Sequence, residues 1–447
     1  MAEMAQQAKT SIIWVFGDQH RAQALSCSGD VNVNTPHIDL LAGQGLHFTQ
    51  ATCGFPLCCP FRGSLLTGLY PHQCVPGHEY PLDPNQPTIA HVFKDAGYKT
   101  AYFGKWHLDG FHESEGRAAL HTVPPARRGG FDTWLGYENN NSQWDCRVHG
   151  NTGSGETRFR LPGYETDELT SLLIQYLMER EDDGDPFFTV LSVQPPHDPY
   201  VAPADWMGRH HPAEIRLRPN VPAVKAVDAI ARRDLAGYYA QIENLDWNLG
   251  RLQQVLETTG LINRTRIIFF SDHGDMHGSH GQFRKTTPYE EAIRIPFIIS
   301  QKVRYYEARK SGAVSALLNH IDIAPTTLGL CGITQPGWMT GTNYAHYAWQ
   351  NQTEPNEPDS AYIQSVIPTG HANSVDKPWR GIITKDGWKY VCFTGIAWLM
   401  FNLVEDPFEQ VNLAHNPQYH AERKRLNDRL QSWIDETKDA FILPENP

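Results

Sequence analysis

The stretch Ser11-Ile12-Ile13-Trp14-Val15-Phe16, followed at once by Gly17-Asp18-Gln19, decides how this chain folds. The run has the length of a strand, is rich in β-branched and aromatic residues and is almost continuously apolar, which is typical of a strand buried on both faces. Further runs of this kind alternate with helical segments, which predicts an α/β fold with a large, mainly parallel sheet flanked by helices. The runs lie at residues 99–103, 187–193 and 266–271, and the helices, for example, at 169–181 and 235–257.

Polar side chains follow each of these four strands where the apolar run ends. Ligands of open α/β sheets bind in the crevice beyond the carboxyl ends of the strands, so these side chains are expected to converge there. One such group alone would be interpreted as a solvated loop residue, whereas four together favour a single functional site. The groups are Asp18 and Gln19, Lys105 and His107, His197 and Asp198, and Asp272, His273 and Asp275.

The composition is that of a packed protein with an acidic balance. Of 447 residues, 40% are hydrophobic and 20% are charged, which excludes a disordered or fibrous chain. The formal net charge of −12 argues against a nucleic-acid partner, because phosphate backbones are held by an excess of Lys and Arg. No window approaches the ~20 apolar residues that cross a bilayer, so no membrane partner is expected. Residues 1–10 lack the apolar core of a secretory signal, which predicts a cytoplasmic protein, or a periplasmic or secreted one if the native N-terminus was trimmed.

The eight cysteines are too dilute for a disulfide framework and are expected to be reduced. Four of them lie between Cys53 and Cys74, near His72, but their spacing does not match the paired short intervals of tetrahedral zinc sites. At least one of these thiols is therefore expected to have a role other than cross-linking.

Two domains are expected, because a single hydrophobic core stops growing at roughly 250–300 residues. Residues 1–353 would form the catalytic α/β domain and residues 354–447 a smaller C-terminal one. In the smaller domain, short strands separated by turn residues predict an antiparallel sheet covered by a helix. The strands lie at residues 381–384, 389–393 and 399–403, and the helix at 417–437.

The segment of residues 139–166 is polar, rich in glycine and long for a plain connection. It is predicted to be either a rim of the active site or a mobile surface loop, and the rim is favoured. Its aromatic and basic side chains include Trp144, Arg147, His149, Arg158 and Arg160.

The stretch Leu57-Cys58-Cys59-Pro60-Phe61-Arg62-Gly63-Ser64-Leu65-Leu66-Thr67-Gly68 carries the chemistry. Pro60 suits the first turn of a helix, so Cys58 would lie at the helix N-terminus, where free N–H groups and the helix dipole favour an anion. Arg62 returns to the same end one turn later. A nucleophile at Cys58 would therefore meet a ready-made oxyanion site.

This stretch resembles the formylglycine-dependent (type I) sulfatases of the alkaline phosphatase superfamily, which carry Cys-x-Pro-x-Arg followed by small residues, Leu and Thr-Gly. Cys58 has Pro60 and Arg62 at the required offsets, whereas Cys59 would face Phe61 and Gly63. The commonest version of the motif has Ser where Phe61 stands. The resemblance covers nearly the whole chain, with further matches at residues 18–19, 34–39, 45–48, 97–107, 196–200, 271–291 and 402–413.

The resemblance implies that a separate maturating enzyme oxidises Cys58 to formylglycine, whose hydrate is the nucleophile. It also implies one divalent cation, held by Asp18, Gln19, Asp272, His273 and the hydroxyl derived from Cys58. A ligand set made mostly of oxygen atoms favours Ca²⁺. The family often has Asp where Gln19 stands and Asn where His273 stands, so Mn²⁺ or Mg²⁺ remains an alternative.

The remaining implied roles concern charge and proton transfer. Arg62, Lys105 and Lys285 would offset charge on the nucleophile and on the sulfuryl oxygens. His197 would protonate the leaving alcohol, and His107 would hold or deprotonate the second hydroxyl of the hydrate. The predicted substrate contacts are Lys105, His197, Lys285, His280 and Arg147, and for His277 and His280 the alternative is a purely structural role.

The predicted function is hydrolysis of an O-sulfate monoester. An exo-acting enzyme for a sulfated mono- or oligosaccharide is favoured, because the 12 tryptophans and the polar segment suit a pocket for sugar rings. The alternatives are a phosphonate monoester or phosphodiester hydrolase with the same metal pairs, an aryl or choline sulfatase, and a non-catalytic binder of sulfated glycans. Lys105 and His107 favour the sulfatase branch, every expected catalytic position is occupied, and the oligomeric state stays open.

Overall fold

The computed structural model describes residues 9–153, 155–181, 184–301, 311–349, 357–370 and 375–445. In these ranges, β1–β10 form one large sheet with the order β10-β2-β9-β8-β1-β7-β3-β4-β5-β6, and β11–β14 form a second sheet. The strands are β1 (Ser11–Gly17), β2 (Leu46–Phe48), β3 (Lys99–Lys105), β4 (Thr133–Tyr137), β5 (Arg147–Asn151), β6 (Glu156–Arg160), β7 (Phe187–Val193), β8 (Thr265–Ser271), β9 (Phe297–Ile299), β10 (Gly312–Val314), β11 (Ser360–Ser365), β12 (Trp379–Thr384), β13 (Trp388–Phe393) and β14 (Ile396–Asn402).

The five central strands, in the order β8-β1-β7-β3-β4, are parallel, which confirms the predicted sheet. The register pairs Gly17 of β1 with Ser271 of β8 and with Val193 of β7, and it pairs Gly104 of β3 with Ser192 of β7. The polar residues that follow these strands therefore leave the sheet side by side at one edge.

Helices cover both faces of the large sheet. Side chains of β1 alternate between two cores: Ile12, Trp14 and Phe16 pack on the side of α2, α3 and α8, whereas Ile13 and Val15 pack on the side of α1, α4 and α6. This alternation explains why the apolar run of β1 is continuous. The helices are α1 (Pro36–Gln44), α2 (Cys58–Thr67), α3 (Ile89–Asp95), α4 (Glu165–Met178), α5 (Ala204–Met207), α6 (Lys225–Thr258), α7 (Glu290–Ile293), α8 (Ile323–Leu330) and α9 (His420–Thr437).

Two segments differ from the sequence-based prediction. Helix α6 begins at Lys225 rather than near residue 235, because its first turns are mostly solvated and lack the apolar stripe on which the prediction rested. The segment of residues 139–166 is not a loop throughout, since it contains the hairpin of β5 and β6, which extends the sheet beyond β4. Val148 is fully buried between the partly exposed Arg147 and the buried His149, so the apolar run is a single residue and the strand was missed.

The C-terminal sheet is antiparallel throughout, and α9 packs on it through Leu426, Leu430 and Trp433, as predicted. The sequence analysis found three of its four strands and missed β11. The predicted domain boundary between residues 353 and 354 lies outside the described residues, as do residues 1–8, so both the division and the absence of a signal stay predictions. No helix of the described residues is long and apolar enough to cross a membrane.

Gly104 permits the close approach of β3 to β7. Its φ is 109°, and a Cβ at this position would lie 1.9 Å from the carbonyl oxygen of Ser192. Gly104→Ala is therefore expected to lower the free energy of unfolding by more than about 3 kcal/mol, because the two backbones must separate. Urea denaturation measures the effect.

Gly29→Ala is the matched control. Gly29 also has a positive φ, 88°, but nothing lies within 4 Å of an added Cβ. Backbone strain alone is expected to cost about 1–2 kcal/mol there. Equal losses for both variants would contradict the role assigned to Gly104.

Candidate active site

Helix α2 carries the predicted nucleophile at its first residue, and all residues from Cys58 to Thr67 are buried. The Sγ atom of Cys58 lies 3.3 Å from Nε2 of His273, 3.6 Å from Oδ1 of Asp18 and 3.2 Å from Nζ of Lys285. The predicted nucleophile therefore faces two predicted metal ligands and one predicted sulfate-binding lysine.

The ends of the neighbouring strands β1 and β8 supply a buried set of potential metal ligands. One ligand atom each from Asp18, Cys58, Asp272 and His273 lies within 4.8 Å of the other three. The backbone N–H of Gln19 donates to Oδ1 of Asp272 at 2.9 Å. In the described part of the chain, Oε1 of Gln19 and Oδ2 of Asp272 are buried and accept no hydrogen bond. Buried oxygens without donors are rare, and these two fit the coordination shell of a hard divalent cation.

The two carboxylates of this set resist ionising together. Although burial opposes ionisation, the positive charge of Lys105 holds the pKa of Asp18 well below its usual range. Burial, assisted by the negative charge of Asp18, raises the pKa of Asp272 to about 6. A divalent cation between the carboxylates would offset both negative charges, so the electrostatics also fit a metal.

Three cationic side chains surround the acidic pair. The guanidinium of Arg62 donates to the carbonyl oxygen of Lys105 at 2.8 Å, to Oγ of Ser192 at 2.8 Å and to Oδ2 of Asp18 at 3.2 Å. The Nζ atom of Lys105 donates to the same Asp18 oxygen at 2.7 Å. Together with Lys285, these groups place fixed positive charge around Cys58, which suits an anionic substrate.

His197 contacts Lys285, the lysine that also contacts Cys58. Its Nε2 is 3.1 Å from Nζ of Lys285, and its Nδ1 is 2.7 Å from the carbonyl oxygen of Asp198. Burial, together with the charge of Lys285, lowers the pKa of His197 to about 4, so its imidazole is neutral at neutral pH. The Gln143 amide donates to the His197 carbonyl at 3.2 Å, so the segment of residues 139–166 borders the site.

His107 directly follows β3 and is held in an unusual conformation. Its backbone has a φ of 57°, in the left-handed region. Its ring is 3% exposed, and its Nδ1 atom has no hydrogen-bond partner among the described residues. Burial and the neighbouring charge of Lys105 lower its pKa well below the usual value, so this ring is neutral at neutral pH.

Three of the other candidates do not contact Cys58 in the described part of the chain. The His280 ring stacks on Tyr289 at 4.1 Å and lies beside Glu291 and Glu409, so its substrate contact stays a prediction beside the structural alternative. The His277 ring packs against two tyrosines, and its Nε2 lies 3.6 Å from the Asp275 carboxylate, which accepts a hydrogen bond from the Gln19 amide. Arg147 begins β5, paired with Arg160, and no contact with the cluster is seen in the described residues.

Two supporting residues were missed by the sequence analysis. Ser192 lies inside the apolar run of β7, and its hydroxyl contacts both Arg62 and the carbonyl of Lys105. Glu165 begins α4, where one oxygen accepts from the hydroxyl of Tyr137 at 2.5 Å and from the backbone N–H of Gln194 at 2.8 Å. Glu165 thus fixes the start of the turn that carries His197. Neither residue has a local pattern that distinguishes it.

This chain is similar in sequence and in structure to several known proteins. A family model described as sulfatase matches residues 10–333, and one described as the C-terminal part of N-sulphoglucosamine sulphohydrolase matches residues 278–436. An ulvan-active sulfatase from Formosa agariphila is 33% identical over 441 residues, which cover 97% of this chain and 82% of that protein. An endo-4-O-sulfatase from Bacteroides thetaiotaomicron is 30% identical over 477 residues, with 92% and 89% covered. The structure of yidJ from Bacteroides fragilis, described as a candidate sulfatase, superposes with a TM-score of 0.85 at 26% identity, covering 99% of this chain and 98% of that one.

The buried carboxyl group of Glu165 makes stability depend on pH. Burial raises its pKa from 4.5 to about 7. Between these values the folded chain holds a proton that the unfolded chain releases, so this group's contribution to the free energy of unfolding falls as the pH rises. Glu165→Gln keeps an acceptor for Tyr137 and Gln194 but cannot ionise. From pH 5 to pH 8, the free energy of unfolding of Glu165→Gln is expected to fall by about 1–3 kcal/mol less than that of the parent.

Urea denaturation at the two pH values measures this difference. Glu168→Gln, on the same helix but partly exposed, is the control and should follow the parent. A Glu165→Gln variant with the parent's pH dependence would contradict the assignment.

Proposed function

This chain belongs to the sulfatase family of the alkaline phosphatase superfamily and is a sulfuric ester hydrolase; we propose that it removes an O-sulfate group from a carbohydrate by means of a formylglycine formed from Cys58, beside one divalent cation. The observation that carries the proposal is the convergence of three cationic side chains and three further potential metal ligands around the Cys58 side chain. Conversion of the thiol requires a separate maturating enzyme.

Asp18, Asp272, His273 and the residue-58 oxygen would hold the cation, with Gln19 contributing its unpaired Oε1. A bound divalent cation lowers the pKa of a coordinated hydroxyl and so supplies a nucleophile at neutral pH. The mostly oxygen ligands support Ca²⁺, while the imidazole of His273 keeps Mn²⁺ and Mg²⁺ as alternatives.

Arg62, Lys105 and Lys285 would offset the negative charge of the sulfuryl oxygens. Their charged groups are already held by hydrogen bonds in a buried site, so little reorganisation is needed when charge develops in the transition state. Arg62 in particular cannot turn away without losing its contacts with Ser192 and the Lys105 carbonyl.

The two imidazoles would serve different proton transfers. His107 is neutral and accepts a proton from the residue-58 hydroxyl. His197 donates to the leaving alcohol, a step that is typically worth ~10²–10⁴-fold. Without substrate its pKa is about 4 because of burial and Lys285. A bound sulfate ester counters the charge of Lys285, so substrate binding itself raises the pKa of His197 and favours the protonated form.

A carbohydrate is the substrate class best supported. One relative is named as active on ulvan, and the C-terminal family model is named for N-sulphoglucosamine. At the rim of this chain's site, the Trp144 side chain is 47% exposed next to Gln143, which contacts the His197 backbone. An exposed aromatic ring beside a charged pocket suits a sugar ring, and we propose exo action on a mono- or oligosaccharide.

Cys58→Ala is expected to lower kcat for a sulfate ester by at least about 10³-fold, because it removes the nucleophile. Cys74→Ser, a thiol outside the cluster, is the control and should keep the parent's rate. Mass spectrometry of the peptide that spans Cys58 should show the exchange of thiol for aldehyde. A folded Cys58→Ala protein as fast as the parent would refute the proposal.

Substrate choice separates the proposal from its rivals. The enzyme is expected to hydrolyse at least one monosulfated sugar with kcat/KM at least about tenfold above that for a phosphodiester or phosphonate monoester, because three fixed cations and His107 surround the sulfuryl position. A panel of monosulfated sugars, choline sulfate, an aryl sulfate and a phosphodiester measures this ratio. Dominance of the phosphodiester, or turnover of choline sulfate without any sugar, would overturn it.

A further inference from the structure

A second group of metal-binding side chains adjoins the active site. Cys59, His78 and His107 bring one sulfur and two ring nitrogens within 4.8 Å of one another. We propose that these three residues, the thiol–imidazole cluster, form an inhibitory binding site for a borderline-soft divalent cation such as Zn²⁺.

The donor set determines which cation suits the cluster. One thiolate and two imidazoles are typical zinc ligands, and three protein ligands leave the fourth tetrahedral position for water. The neighbouring Asp18 and Asp272 offer oxygen atoms, which suit hard cations. The two sites therefore differ in chemical softness although Cys58 and Cys59 are adjacent in the chain.

The surroundings of the cluster support binding. Nδ1 of His107 is buried and accepts or donates no hydrogen bond in the described residues, so its lone pair or proton is unused. The backbone N–H of Glu79 donates to Sγ of Cys59 at 3.4 Å. Binding replaces the thiol proton, which leaves to solvent as the Zn–S bond forms.

One member of the cluster is partly exposed. Cys59 is fully buried, but the side chain of His78 is 23% exposed and lies against the His107 ring, with ring centroids 5.7 Å apart. A cation that enters the cluster would therefore meet His78 first.

Inhibition follows from the role of His107. A His107 ring bound to zinc cannot accept a proton from residue 58, so turnover stops while the metal is bound. This consequence rests on the proposed function, whereas metal binding does not.

Binding is tested in the Cys58→Ser background, where Cys59 is the sole thiol at the site and no maturation is needed. With Ca²⁺ in excess to fill the hard site, Co²⁺ should produce a thiolate-to-metal charge-transfer band, and equilibrium dialysis should show one Zn²⁺ per chain. Adding Cys59→Ser or His78→Ala is expected to remove the band and to weaken zinc binding at least tenfold. Cys74→Ser, whose thiol lies outside the cluster, is the matched control and should change neither.

Zinc binding that survives both cluster substitutions, or no zinc binding at all, overturns the site. His78 is partly exposed, so His78→Ala is expected to fold. It therefore still tests the site if Cys59→Ser does not fold.

Inhibition is tested with the matured enzyme by titrating Zn²⁺ at a fixed concentration of a sulfate ester. The readout is the ratio of the rate with Zn²⁺ to the rate without Zn²⁺. A variant whose rate without Zn²⁺ differs from the parent's can therefore still be compared with it. His78→Ala is expected to raise the half-inhibitory zinc concentration at least tenfold, and Cys74→Ser to leave it unchanged. Equal inhibition of His78→Ala and parent overturns the inhibitory role. Failure of the proposed function would instead appear as no turnover of any sulfate ester, with cobalt binding intact.

Discussion

Two carboxylates from adjacent parallel strands meet behind the nucleophile, and their mutual repulsion is the constraint around which the site is organised. The register of β1 and β8 places Asp18 and Asp272 side by side in a buried position. Burial of like charges is costly unless opposite charge is supplied. Arg62, Lys105 and Lys285 supply part of it, and the buried oxygens that accept no hydrogen bond in the described residues mark where a cation would supply the rest.

The central strands also fix the position of one of the charges that offset this repulsion. Arg62 is held by a carbonyl oxygen of β3 and a hydroxyl of β7, so the geometry of the sheet determines where its charge lies. The close approach of β3 and β7 at Gly104 brings these two partners together. At this edge, the packing of β3 against β7 therefore also determines where the Arg62 charge lies.

The central strands and the residues after them could be predicted because each signal is local. A strand buried on both faces has a continuous apolar run, and its polar successor marks the carboxyl end. The hairpin of β5 and β6 was missed because its basic residues are partly exposed, so its apolar run is broken. Ser192 was missed because a small polar residue within an apolar run has no local sign of its long-range partner. His280 lies beside Glu291 and Glu409, and no local pattern in the sequence indicates these long-range neighbours.

The position of Cys58 in the first turn of a wholly buried helix limits when another enzyme could reach its thiol. Its side chain is 2% exposed once α2 has packed, which leaves no room for a second enzyme to grasp the surrounding peptide. If Cys58 is the residue that is converted, as we propose, its oxidation would have to precede the packing of α2. Chains that folded first would keep the thiol and remain inactive, so the active fraction of a preparation would depend on the relative rates of oxidation and folding.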